Sequence, residues 1–167
     1  MLKGLIVRAA SLFFCLKNIR KLRLRGFPFI LHDLMSAIEI EGKVTLNSSP
    51  TSNLIGIYQR CILVARDGGR IFLGENVGLS GVTVYAMAKI TIGKNTQVGA
   101  NVKIIDNDFH PLEPEARLEN DRSRIRKEEI FIGDDCFIGV NAIILKGTRL
   151  GKGCIVDNVR YFSHIWV

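Results

Sequence analysis

From Ile132 to Val156 an aliphatic residue returns at every sixth position: Ile132, Ile138, Ile144, Leu150 and Val156. Small or slim side chains (Cys136, Ala142, Thr148, Cys154) stand four places after the first four, and Gly133, Gly139 and Gly151 follow three of them directly. A helix repeats its buried face every 3.6 residues and a strand every 2, so a period of six is neither alone. It fits a coil of short strands and turns, each strand pointing one aliphatic inward. The rhythm also runs through Ile92, Val98 and Ile104, with Thr96 and Val102 as the small residues, and back to Leu73 and Leu79. One extra residue between Tyr85 and Ile92 shifts the phase, as a bulged corner would.

The rest of the chain departs from this rhythm in four places. Residues 1–28 read as a basic amphipathic helix: Leu2, Leu5, Ile6, Ala9, Leu12, Phe13 and Leu16 are spaced helically, before the cluster Lys17, Arg20, Lys21, Arg23, Arg25. Its apolar run is broken by Arg8 and falls short of the roughly 20 residues of a membrane span. It is expected to lie on an anionic membrane surface, to cover the blunt end of the coil, or both. Phe29 to Ile40 reads as a short connecting helix or an irregular first turn, and Val44 to Ile57 as weak repeat with a turn at Asn47–Pro50. Residues 106–129, with eight acids and five bases, form a single long excursion from a corner, the kind of loop that usually carries function. Residues 157–167 abandon the pattern. Arg160 occupies a small position and Tyr161, Phe162, His164, Ile165 and Trp166 follow, either a truncated or frame-altered end or a native plug.

Charge alters the picture only at the amino end. The net charge is +7, and Lys3, Arg8, Lys17, Arg20, Lys21, Arg23 and Arg25 precede the first acid, Asp33. The remaining body is neutral and offers no basic patch, which argues against nucleic acid as a partner. Cys15, Cys61, Cys136 and Cys154 have no C-x-x-C spacing, so no metal site is expected. Cys136 and Cys154 stack if the coil is right, close enough for a disulfide but better read as buried apolar thiols in a reducing cytoplasm.

His110 is the one histidine inside the repeats, in the setting Asp106-Asn107-Asp108-Phe109-His110-Pro111. Repeats and loop together resemble the hexapeptide-repeat acyltransferases, above all the maltose and galactoside O-acetyltransferases and the sugar O-acetyltransferases of surface-polysaccharide clusters. The resemblance covers about 44–156. It implies a mainly β fold, a single-stranded left-handed parallel β-helix over 29–156 with the amino-terminal helix and one loop insertion added. It implies acetyl-CoA as co-substrate, a sugar or glycan acceptor and a homotrimer; the cysteines and the basic amino end point to placement in the cytoplasm, peripherally on the inner face of the membrane where the helix binds. By the same resemblance His110 is the general base, and Asp108 or Asp106 orients it. Ser80 and Asn107 meet the acceptor. Gly139, Val140 and Asn158 line the coenzyme groove, with Phe137 where relatives often carry tryptophan. A nucleotide-sugar N-acetyltransferase and a non-catalytic trimer remain open. The γ-type carbonic anhydrases share the prism but need three histidines on zinc, which the repeats do not supply.

Overall fold

The computed structural model describes residues 18–157 and 161–162. The expected helix over 1–28 lies mostly outside these residues, as do Asn158 and most of the tail. Within the described part the helix reading needs correcting. Ile19–Lys21 is one 3-10 turn, and Leu22–Arg25 is already a strand. Its four residues alternate Leu and Arg, a period of two that suits a strand.

The chain winds through successive coils of three short strands. In order they are β1 (Leu22–Arg25), β2 (Phe29–His32) and β3 (Ala37–Ile40); β4 (Val44–Asn47), β5 (Ile62–Ala65) and β6 (Arg70–Leu73); β7 (Gly78–Ser80), β8 (Thr83–Ala86) and β9 (Lys89–Ile92); β10 (Gln97–Val98), β11 (Lys103–Ile105) and β12 (Ile130–Ile132); β13 (Phe137–Ile138), β14 (Ile143–Leu145) and β15 (Arg149–Leu150); then β16 (Ile155–Val156) and β17 (Tyr161–Phe162). Every third strand pairs in parallel, giving a first sheet β1-β4-β7-β10-β13-β16, a second β2-β5-β8-β11-β14-β17 and a third β3-β6-β9-β12-β15. This is the left-handed parallel β-helix. Phe29–His32 and Ala37–Ile40 are therefore strands of the first coil, not a helix or an irregular turn.

The register shows what the period of six encodes. Leu46, Leu79, Val98, Ile138 and Val156 stack on the first sheet, Leu63, Val84, Ile104 and Ile144 on the second, and Leu73, Ile92, Ile132 and Leu150 on the third. All are buried. The inward residue of β8 is Val84, not Tyr85: it follows Leu79 by five positions and precedes Ile92 by eight, so the corner before β8 is one residue short and the one after it two residues long. The small positions are the corners: Thr96, Val102, Cys136, Ala142 and Thr148 are buried. Their neighbours Asn76, Asn95, Asn101, Asp135 and Asn141 have φ between 57° and 63°, the left-handed turn that Asn and Asp tolerate best. Cys136 and Cys154 are thiols, and the Cys136 Sγ donates to the Gly151 carbonyl at 3.1 Å.

Two excursions leave this prism from opposite margins of the second sheet. All strands of that sheet start at a leading margin, the corner shared with the first sheet, and end at a trailing margin, shared with the third. Residues 106–129 leave the trailing margin after β11, as expected, and contain a short helix α1 (Pro114–Leu118) and a 3-10 turn at Arg122–Arg124. Residues 48–61 leave the leading margin between β4 and β5. This second excursion was read as weak repeat in the sequence.

Candidate active site

The loop that carries His110 is rooted by Asp106. The Asp106 carboxylate is buried and accepts from the backbone N–H groups of Met87 (2.7 Å) and Ala88 (2.8 Å) and from the Asn107 amide (3.1 Å). Burial pushes its carboxyl up, and these three donors act the other way. Asp106 thus ties the loop to the corner between β8 and β9, and both its oxygens are committed there. The Asn107 side chain is likewise turned inward: its carbonyl oxygen accepts from Phe109 N–H at 3.0 Å, and its backbone bridges to Lys127. Both side chains hold the loop's shape.

That shape is strained at one residue. Phe109 has φ 60°, a left-handed conformation that is uncommon for a bulky side chain and collects at functional sites. Two contacts hold it there: the Asn107 bond, and the Phe109 ring against the Tyr85 ring, with centroids 4.8 Å apart and planes at 64°. Tyr85 lies on the outer face of the second sheet at its trailing margin. Phe109 clamps the loop onto that face, and His110 follows with its backbone N–H on the Asp108 carbonyl at 2.6 Å and its residue exposed.

Asp108 makes a partnership with a residue 38 positions away. Its Oδ1 takes the Lys146 ammonium at 2.5 Å, with only 16% of the Asp108 side chain and 21% of the Lys146 side chain exposed. Its Oδ2 is buried with no hydrogen-bond partner. Within this chain Asp108 holds Lys146, at the trailing margin one coil above, and not the His110 ring.

The other expected residues lie elsewhere. Ser80 ends β7 at the leading margin; its hydroxyl is buried and accepts from the Asn47 (2.9 Å) and Asn53 (3.3 Å) amides. Asn53 belongs to the 48–61 loop, so that loop covers Ser80. Gly139 and Val140 follow β13, also at the leading margin, and the Gly139 N–H is taken by the Val156 carbonyl at 2.7 Å. Phe137 points outward from the first sheet, 49% exposed. One chain therefore separates His110 from Ser80, Gly139 and Val140 by the width of the second sheet.

One column of that sheet's outer face is apolar along its whole height, while the leading column carries Thr83 and Lys103. Leu31, Val64, Tyr85, Ile105 and Leu145 form the apolar column, in register near the trailing margin. The third sheet shows instead exposed Glu39, Arg70, Lys89 and Arg149.

With this geometry in place, comparison with known proteins becomes specific. A family described as the hexapeptide repeat of succinyl-transferase matches residues 129–158, which are the coils above the long loop. Over these residues the chain is similar to the hexapeptide-repeat family. A galactoside O-acetyltransferase of Lactococcus lactis is 29% identical over 93 residues, 51% of this chain and 42% of that protein. A protein of Escherichia coli named as a lipopolysaccharide biosynthesis O-acetyl transferase, WbbJ, is 28% identical over 94 residues, 53% of this chain and 48% of its own length. The matched segments thus span less than half of either relative. No solved structure matches the chain.

Proposed function

We propose that this hexapeptide-repeat chain transfers an acetyl group from acetyl-CoA to a sugar hydroxyl, in the building of a surface polysaccharide. The observation that carries the reading is the placement of His110: an exposed imidazole on a rigidly rooted loop, fixed by a strained turn beside an apolar column. The names of the two relatives supply the acetyl group and the sugar.

A sugar hydroxyl is a poor nucleophile until its proton is removed, and a neutral imidazole can take that proton near neutral pH. The oxygen attacks the thioester carbonyl, the tetrahedral oxyanion is held by a backbone N–H, and the thiol leaves with the proton that the imidazolium returns. No covalent enzyme intermediate is needed. Since Asp108 holds Lys146, the ion pair supports the loop while His110 works without an acid of its own chain behind it.

The chain works as a homotrimer in this reading. An apolar column of this height on the outer face of a sheet marks an interface. Three copies closed around an axis with their second sheets inward bury it and leave no open edge. The trailing margin of each protomer then meets the leading margin of the next, so His110 approaches Gly139 and Val140 of the partner subunit. Residues 1–25, with their apolar and basic side chains, bring the trimer to an anionic membrane surface on the cytoplasmic side. No helix among the described residues is long and apolar enough to cross a membrane.

The test is thiol release from acetyl-CoA across a panel of sugars, oligosaccharides and nucleotide sugars, with wild type and His110→Ala. Acceptor-dependent turnover that His110→Ala abolishes at unchanged oligomeric state is expected. Full turnover by the variant would remove His110 as the base. Removal of residues 1–17 should lower binding to phosphatidylserine vesicles, and undiminished binding would reject the membrane role.

A further inference from the structure

The excursion at the leading margin forms a site of its own. Residues 48–61 climb from the second coil, and their contacts fix them at several heights. The Asn53 amide reaches Ser80, the Asn101 amide donates to the Gly56 carbonyl at 2.9 Å, and the Asn101 carbonyl oxygen accepts from Tyr58 N–H at 3.3 Å. The Gln59 amide donates to Gly81 O (2.7 Å) and the Thr83 hydroxyl (3.0 Å), and its oxygen accepts from Lys103 Nζ at 2.7 Å. Ile57 is buried against Gly81. A loop held by this many long-range bonds is a built feature and not slack chain.

Beneath it opens a cleft of about 670 Å³ lined by Phe29, Ser48, Pro50, Tyr58, Gln59, Arg60 and Ile62. That volume lies in the range of small-molecule sites. Tyr58, on the loop itself, is 71% exposed, an unusual use of an aromatic on a surface unless something stacks on it; Phe29 belongs to the sheet face that the proposed trimer turns inward. Arg60 adds hydrogen-bond donors at the rim, whereas the Ser48 hydroxyl accepts from Cys61 N–H and the Gln59 amide is taken up by the anchoring. An apolar ring face with a donor group beside it matches a pyranose, which presents apolar C–H faces and an equatorial belt of hydroxyls.

Height relates this cleft to His110. The cleft sits beside the first and second coils, and the His110 loop leaves the fourth. With about 4.8 Å per coil, two or three coils separate them by about 10–14 Å, the length of a few linked sugar rings. In the trimer proposed above, the leading margin of one protomer faces the trailing margin of the next at equal height. A glycan whose reacting hydroxyl lies at His110 of the partner subunit can therefore run down the leading margin into the cleft. Ser80, beneath Asn53, no longer meets the acceptor; the loop's own side chains do.

We infer that the cleft under residues 48–61 is a glycan subsite, which binds sugar units of the acceptor beyond the one acetylated and makes the chain select an oligosaccharide over a monosaccharide. The inference rests on the acetyltransferase reading. It is tested by kcat/KM for an acceptor monosaccharide and for its linear oligomers of increasing length, in wild type, Tyr58→Ala and Tyr58→Phe. For wild type kcat/KM should climb with length over two to four units. Tyr58→Ala should flatten that climb about tenfold through KM for the oligomer, with KM for acetyl-CoA and the oligomeric state as in wild type, and Tyr58→Phe should restore most of it. A wild-type enzyme indifferent to length, or a Tyr58→Ala enzyme that keeps the full climb, overturns the subsite while leaving the acetyltransferase standing. An enzyme whose turnover survives His110→Ala overturns the reading beneath it instead.

Discussion

The two margins of the second sheet carry the same kind of object, a loop thrown out of an otherwise regular prism, and the function proposed here gives the two loops different uses. The trailing loop is polar and strained, rooted through the buried carboxylate of Asp106, and it presents one titratable ring. The leading loop has one charged partner in its anchoring, Lys103 of β11. It is fastened by amides and by Ile57, and it presents an aromatic face. Chemistry needs a fixed proton acceptor, whereas recognition needs area and hydrogen bonds spread over a length. The prism supplies both because its corners tolerate insertions while the stacked aliphatics keep the strands in register. The contrast can be broken by changing each margin in turn.

The largest effect belongs to His110. Removal of a general base lowers turnover by about 10²–10⁴-fold, so His110→Ala should lose at least two orders of magnitude in kcat with little change in melting temperature, since the residue is exposed. A comparable loss from any single change at the leading margin would erase the division of labour.

Asp106→Ala comes next. It orphans the Met87 and Ala88 N–H groups in a buried corner, and unsatisfied buried donors cost about 1–3 kcal/mol each. A drop of about 2–4 kcal/mol in unfolding free energy is expected by denaturant titration, along with lost activity because the His110 loop loses its root. Wild-type stability would show that the carboxylate is not the anchor.

How much of this contrast the sequence displayed depends on what each loop interrupts. The trailing loop was visible because residues 106–129 separate two strictly periodic blocks, Ile92 to Ile104 and Ile132 to Val156. The leading loop interrupts coils that are already irregular: Leu46 and Leu79 stack though 33 positions apart, so no period betrayed the excursion between them. Strands β1 to β3 escaped notice for the same reason. Asp106 and Asp108 look alike in the sequence, yet one binds backbone and the other Lys146, because the corner that buries Asp106 comes from β8 and β9, about twenty residues earlier. A signal for the apolar column of the second sheet was present. Leu31, Val64, Tyr85, Ile105 and Leu145 can be found once the register is known, but their spacings of 33, 21, 20 and 40 hide them beforehand.

Lys146→Met sharpens the trailing side. It leaves the Asp108 carboxylate without its cation in a site that is mostly shielded, which should cost about 2 kcal/mol. The expected signature is a lower kcat at nearly constant KM for acetyl-CoA, with Lys146→Arg recovering most of it. If Lys146→Met matches wild type in both stability and kcat, the pair is incidental to the loop.

The smallest change addresses the leading side. Gly81 has φ +57° at the corner between β7 and β8, and a Cβ there would stand 2.7 Å from Ile57 Cγ2 and 2.8 Å from the Gln59 carbonyl. A non-glycine residue in this conformation costs roughly 1–2 kcal/mol from the backbone alone. Relief of the contact requires Ile57 and Gln59 to lift, which weakens the Gln59 bonds to Gly81, Thr83 and Lys103. Gly81→Ala should therefore loosen residues 53–60 and not the core: amide exchange quickens in that loop and stays slow in β11 and β14. At the active site the consequence is selective. An oligosaccharide acceptor should lose affinity while the trailing loop keeps its kcat, because nothing in the Asp106 root or the Phe109–Tyr85 contact touches Gly81. Equal loss of kcat with every acceptor would mean that the two margins are one cooperative unit, and the separation of chemistry from recognition would fail.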